Sequence, residues 1–499
     1  LANFKYDGVF IERQEALPGH LKSDGEQTQL SLAHSHDVAR FYQSNSEVHG
    51  SLDDGAKASL IDCISQGNTT YGLRDNDSAR SQMFPHFIVV GDEWVDAEQE
   101  FVSQIEYFPA DVDCLSGFRR DFGMIHPTKN EFQKILVADE ARLAKISKER
   151  DWDKTDRDAV DVGDHPILQY YSGNFQIVKV DCKDCLIEIS NRPSHGRGSS
   201  RGVKIENQIT VNLKFPRPLK LEKAATKLLI VHSFLELCLG KRQEYQNIKL
   251  KPADRKDHKL FDLHWSYANE RVRKTGRHPH AGDVLADFGR RKSEFSKLLG
   301  NWVDTSEQMA EARGRFSSCF FSSSYSPDRV VAAANIFDLL PEDRVPKARQ
   351  LDEETLALVK EFKPKFRSLP ESFARQEMLG AIGRIGKASL RDKINHRVAI
   401  LTKHMGSSFS ELTVPCQQGV ICRNHYVHGS EAAFDYQNEF PSFAFITDTL
   451  EFVFALSDLL EMGWSYRDWR EHGTTQSHAF GSYCVNYAGE LHKLKELLA

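Results

Sequence analysis

The run Cys422-Arg423-Asn424-His425-Tyr426-Val427-His428-Gly429 gathers an arginine, an asparagine and two histidines into eight residues. These types suit cleavage of an RNA phosphodiester without a metal. That reaction needs a base for the ribose 2′-hydroxyl, an acid for the departing 5′-oxygen, and positive charge on a phosphorane-like transition state. Imidazole can act as base or acid near neutral pH, and guanidinium is a permanently charged planar fork that grips two phosphate oxygens at once. On a regular helix, at roughly 100° per residue, Arg423 and His428 lie about 140° apart and Asn424 and His428 about 40° apart. Asn424 and His428 share a face, and Arg423 flanks it. The candidate catalytic set is therefore Arg423, Asn424 and His428, with His428 as general base or acid, Arg423 on the phosphate and Asn424 orienting one of them or the RNA. One helix offers one histidine on this face, so the chemistry implies a homodimer whose two-fold axis brings two such helices into one cleft. The plainer reading is a local salt bridge at Arg423 and a helix C-terminus at His428, where a cation is favoured beside Gly429. His425 and Tyr426 could touch RNA or simply pack. Arg391 and Arg397 could meet phosphates or form a solvated face.

The elements that must position this run are helical. Ser326-Pro327 reads as an N-cap and first turn opening a helix to Leu340. Further helices are expected over Asp352–Phe362, Glu371–Ile385, Ser389–His404, Gln417–Gly429 and Phe443–Met462. The last is apolar around most of its circumference, hence central, and it ends at Gly463. From Phe4 to Phe215 the texture is instead of short apolar runs broken by Gly, Asp, Asn and Ser, that of strands. Phe175–Val180 and Leu186–Ile189 flank a turn as a hairpin, and Leu219–Leu239 reads as an amphipathic helix stopped by Gly240. The charged stretch Ala138–Asp164 reads as a solvated insertion. The expected fold class is α+β and multidomain: a β-rich N-terminal region (1–215) for sensing or regulation, a helical connecting region (216–314) and an all-α bundle (315–499).

Other clusters carry less. Cys182 and Cys185 sit two residues apart in the hairpin turn, half of a structural zinc knuckle, and His195, His278 or His280 could complete it. No spacing rule selects among them, and two free thiols are the alternative. His34, His36 and Asp37 lack further ligands in register and read as surface residues. The loop with Gly196, Gly198 and Gly202 lacks the Lys-Ser or Lys-Thr ending of a phosphate loop and reads as a flexible basic segment.

Bulk composition limits the choices. The 499 residues exceed one core and carry a net charge of -6, so any contact with nucleic acid is focal. The most apolar stretch, Leu228–Leu239, falls short of the ~20 residues a membrane helix requires. The start, Leu1 to Phe10, shows no secretory pattern, and nine scattered cysteines fit a reducing compartment, so a cytoplasmic address is expected.

Arg423-Asn424, three residues, then His428, late in a helical region, resembles the Arg-(four to six residues)-His signature of HEPN ribonucleases. The flanks Ser389–Leu401 and Phe445–Gly463 resemble those of the ApeA-like HEPN class, which includes bacterial anti-phage proteins. In the front half, Tyr6–Phe10, Leu17–Leu21 and Phe215-Pro216 leading to Gly240 are similar to the N-terminal part of such proteins. The resemblance implies an abortive-infection endoribonuclease that dimerises through its HEPN domain, cuts RNA such as tRNA to 2′,3′-cyclic phosphate and 5′-hydroxyl ends, needs no catalytic cofactor, and answers a phage-derived trigger through its N-terminal region. The alternative is a non-catalytic HEPN-like module that binds RNA or a protein partner.

Overall fold

In the computed structural model the described residues are 4–12, 15–23, 28–34, 46–71, 78–117, 119–150, 160–196, 202, 204–253, 255, 259–266, 278–347, 351–471 and 475–499. His36, Asp37 and Gly198 lie outside them. Six strands open the chain: β1 (Phe4–Glu12), β2 (Glu15–Ser23), β3 (Thr28–His34), β4 (Ser46–Leu52), β5 (Lys57–Tyr71) and β6 (Ser78–Gly91). They pair antiparallel in the order β6-β3-β2-β1-β4-β5 and β5 pairs back to β6, so the sheet closes into a barrel. Closure removes free edges. Its interior is apolar, with Phe10, Leu21, Leu30, Leu60 and Ile88 fully buried. Phe10 stands opposite Gly50 in register, and a side chain at Gly50 would overlap the Phe10 ring. That glycine is the space the ring occupies.

The barrel shares β6 with an open wing, whose order outward is β14 (Phe261–Trp265), β13 (Tyr245–Pro252), β7 (Val102–Pro109), β12 (Ile205–Leu219), β11 (Leu186–His195) and β10 (Gln176–Asp181). A small two-stranded sheet, β8 (Phe122–Ile125) with β9 (Leu168–Tyr171), flanks α1 (Lys129–Arg150). No residue of α1 is buried, as its run of charges leads one to expect. The helix α2 (Leu221–Leu239) covers the wing and ends where Gly240, at φ 70°, turns its amide back to Glu236 and Leu237. The β10–β11 hairpin and α2 match their sequence patterns.

The expected helical connection over 216–314 is corrected by β13 and β14, which fall inside it and join the wing. Both are short, and β13 alternates buried Ile248, Leu250 and Pro252 with lysines and other polar residues, a period-2 pattern that the surrounding charge obscured. The expected boundary at 315 also falls within α4 (Ser306–Phe320), which follows α3 (Lys292–Asp304). One continuous apolar core runs from the wing through α2 and α3 into the bundle.

The bundle comprises α5 (Pro327–Asn335), α6 (Glu353–Ser368), α7 (Phe373–Arg384), α8 (Leu390–Met405), α9 (Thr413–His428), α10 (Phe440–Met462), α11 (Tyr466–Arg470) and α12 (Ala479–Leu498). Buried nearly all round, α10 is the axis on which α3, α4, α5, α8, α9 and α12 pack. Three arginines fix the helices around it. Arg313 of α4 donates to Asp458 at 2.9 Å, and Arg329 of α5 donates to both oxygens of Glu451 at 2.8 Å. Arg397 of α8, fully buried, donates to Ser457 at 2.8 Å and to Glu461 at 2.7 Å. A buried guanidinium without its carboxylate is strongly unfavourable, so each pin selects one register. Arg397 is thus a structural pin and not a phosphate ligand. The fold class is α+β, a β-rich region followed by a helical one, as the sequence indicates. Among the described residues no helix is long and apolar enough to cross a membrane.

Candidate functional site

The helix α9 carries the candidate residues. Pro415 sits in its first turn, where a missing N–H costs nothing, and Cys416, Gly419, Val420 and Cys422 form its buried face. A Cβ at Gly419 would lie 2.8 Å from Leu450 Cδ1, so glycine is what lets α9 sit closely against α10. The helix ends at His428, capped by Gly429, which adopts φ 67° and whose amide donates to the His425 carbonyl at 2.9 Å. Arg423, Asn424 and His428 therefore occupy the last turn and a half, at the helix end where unpaired carbonyls favour cations.

The helical wheel separates Arg423 from His428, yet the long guanidinium closes the gap. Its Nη1 donates to Asn424 Oδ1 at 3.0 Å and lies 2.9 Å from His428 Nε2, while its Nε donates to Asn335 Oδ1 at 3.2 Å. A guanidinium N–H only donates, so in this contact His428 Nε2 is the acceptor. Both hydrogens of Nη1 are engaged. Nη2 has no protein acceptor among the described residues, and its two N–H groups remain for an anion. His428 is exposed and Arg423 half-buried, so the pair opens to solvent from a held base.

Asn335, the third anchor, lies 88 positions before Arg423. It is the last residue of α5, where the chain tightens into a 3-10 turn over Ile336–Leu339. The Ser326 side chain caps the start of α5 as its sequence indicates, but nothing in the local sequence singles out Asn335. His425 faces away from the pair, its Nδ1 2.7 Å from the Ser430 carbonyl, and braces the turn after the helix. Tyr426 packs near Tyr436 and Phe443 yet stays 37% exposed. With exposed Val427 and Phe440 it leaves an apolar rim on this end of the bundle.

The other cluster differs. Cys182 and Cys185 stand in the β10–β11 turn, closed by Cys182 N–H to the Cys185 carbonyl at 2.9 Å, and the turn is pinned where Lys183 N–H donates to Asp304 at 2.8 Å. The facing sulfurs share a hydrogen bond that raises the Cys182 thiol pKa and lowers that of Cys185. His195 ends β11 nine residues beyond Leu186, roughly 30 Å along an extended strand, too far to serve as a third ligand. His278 lies 3.9 Å from Asp111 and His280 caps its own turn. Among the described residues no group of three or more His, Cys, Asp or Glu is placed to hold a metal ion.

Two family models match the chain. That of ApeA N-terminal domain 1 covers residues 158–302, and that of Apea-like HEPN covers residues 331–468. The first span takes in β9, the wing strands other than β7, α2 and most of α3. The second runs from within α5 to within α11 and contains Asn335, Arg423, Asn424 and His428. The barrel lies outside both. No curated protein matches the chain, and no solved structure does.

Proposed function

The chain belongs to the ApeA-like proteins with a HEPN domain, and from that premise we propose that it is an anti-phage endoribonuclease that cuts RNA, tRNA among the candidates, by metal-independent attack of the 2′-hydroxyl. The observation that carries this reading is the held pair: an imidazole nitrogen at 2.9 Å from a guanidinium whose second amino group has no acceptor among the described residues, both open to solvent. When a phosphate docks on Nη2 and Nη1, His428 Nε2 is released from Arg423 to accept the 2′-hydroxyl proton. The 2′-oxygen then bonds to phosphorus, and the P–O5′ bond breaks. The departing 5′-oxygen takes a proton from an imidazolium, and the products are a 2′,3′-cyclic phosphate and a 5′-hydroxyl. Arg423 neutralises the charge gathering on the non-bridging oxygens. Asn335 and Asn424 hold the guanidinium in place.

One imidazole cannot be base and acid in the same instant, so a second copy supplies the other across a two-fold axis. The exposed rim of Tyr426, Val427 and Phe440 supports that assembly, since it gives a second copy an apolar surface beside the cleft. The barrel and wing would then hold the nuclease in check until a phage-derived trigger engages them. No catalytic metal or other cofactor is called on, and cleavage is expected to continue in EDTA.

The test incubates the pure chain and its His428→Ala variant with total RNA, alone and with lysate of phage-infected cells as the source of the trigger. Fragments with 5′-hydroxyl ends from the wild type only support the nuclease. RNA that is shifted but intact in both indicates the binding module instead.

A further inference from the structure

Helices α6 and α7 form an antiparallel arm that packs on itself and makes no more than marginal contact with any other element. No residue of either helix is buried. Their apolar side chains face one another without closing a core: Leu358, Val359, Phe362, Phe366, Ile382 and Ile385 line an open groove of about 370 Å³. Phe373 at the tip is 76% exposed. The tip is nonetheless shaped, because the Arg375 guanidinium donates to the carbonyls of Phe366 at 3.2 Å and Arg367 at 2.9 Å.

The charge of the arm opposes that of the chain. From residue 353 to 387 seven lysines and arginines stand against five glutamates, two of which sit in the first turn of α6, in a protein of net charge -6. Lys360, Lys363 and Arg367 follow one another at three- and four-residue steps, a stripe beside the groove residues Val359, Phe362 and Phe366. Lys360, Lys363, Arg384 and Lys387 have no ion-pair partner among the described residues. Lys365, paired with Glu361 at 2.6 Å, stands 5.5 Å from the centre of the Phe362 ring.

The arm connects to the candidate site through α8. It leads directly into α8, whose Lys393 is bonded to Asp338 at 2.8 Å. Asp338 is three residues beyond Asn335, which holds Arg423.

We propose that this arm grips the RNA substrate. A single-stranded segment lies along it toward Arg423 and His428, with phosphates on Lys360, Lys363, Arg384 and Lys387 and a base in the groove against Phe362 and Phe366. Unpaired nucleotides offer what the arm complements, a flat π face and one negative charge per residue. The charge also argues against the arm of a second copy as occupant, since a two-fold contact of this face with itself sets like charges opposite one another.

This assignment rests on the ribonuclease reading, and the experiment separates the two. In the His428→Ala chain, which is expected to leave RNA intact, binding of a fluorescent oligouridylate is measured at several salt concentrations. Adding Lys360→Glu, Lys363→Glu and Arg384→Glu together is expected to weaken binding about tenfold or more and to flatten the salt slope by about 2, near 0.7 for each single-strand phosphate no longer neutralised. Phe362→Leu keeps the groove apolar but removes a stacking ring, and is expected to weaken binding about fivefold. All these positions are solvent-facing or half-buried, and unchanged thermal melting verifies the fold. Unchanged affinity in these variants, with the parent binding RNA, overturns the arm and leaves the nuclease standing. Conversion of a dimer to monomers by the substitutions reassigns the arm to self-association and overturns it too. A parent that binds no RNA, beside a wild type that cuts none, removes the reading beneath.

Discussion

At the scale of single residues the account depends on how Arg423 is held. Three acceptors surround one guanidinium, and two of them, Asn424 and His428, lie in its own helix. The shared face of Asn424 and His428 was legible in the sequence because a helix fixes their spacing, whereas the Arg423 contact to His428 depends on the reach of the guanidinium across about 140° of the wheel. Asn335 was not legible, because a contact across 88 positions leaves no local pattern. Asn335→Ala is expected to lower kcat about tenfold with little change in KM, while Asn335→Asp, which still accepts from Nε, restores most of it. A merely structural asparagine would show parallel losses in melting temperature and no such rescue. Arg423→Lys keeps the charge but not the fork, and a loss of about 10²-fold in kcat is expected from single-turnover rates. Asp448 gives a second, independent test. Burial, and then the charge of Glu451, push its carboxyl up to about 7 against the opposing Tyr325 hydroxyl and Arg329. A carboxyl with a raised folded pKa contributes stability that is complete below its unfolded value of about 4 and is lost as the pH climbs through about 7. Asp448→Asn should therefore be more stable than the parent at alkaline pH by about 1 kcal/mol, a figure reduced because the side chain is a third exposed, and the gap should close on acidification in thermal melts.

At the scale of elements, the helices of the bundle were readable from caps and periodicity, but the partners of their faces were not. Arg397 looks like a surface cation in sequence and is fully buried in the structure, because its partners Ser457 and Glu461 arrive on a helix some 60 residues later. α6 and α7 show ordinary helical patterns too, and only their marginal contact with every other described element marks them as an arm. The close packing of α9 on α10 turns on one glycine. Gly419→Val should force the helices apart, destabilise by about 1–3 kcal/mol and displace Arg423 from Asn335. Chemical denaturation measures the first effect, and a fall in cleavage rate per folded molecule the second.

At the scale of the whole molecule, the division into β-rich and helical parts follows from the sequence, whereas barrel closure does not. The pairings of β1 with β4 and of β3 with β6 are set by tertiary register rather than by any turn signal, and β13 and β14 return to the sheet after α2. The proposed dimer belongs to this scale. Val427→Asp places a charge on the apolar rim beside the site, and light scattering should then find monomers whose cleavage is reduced together with assembly. The most direct measurement is the sequencing of 5′-hydroxyl RNA ends from cells producing the wild-type chain or its His428→Ala variant while exposed to phage. The account predicts a discrete set of ends in the first and their absence in the second at equal protein levels. The same ends in both would contradict it.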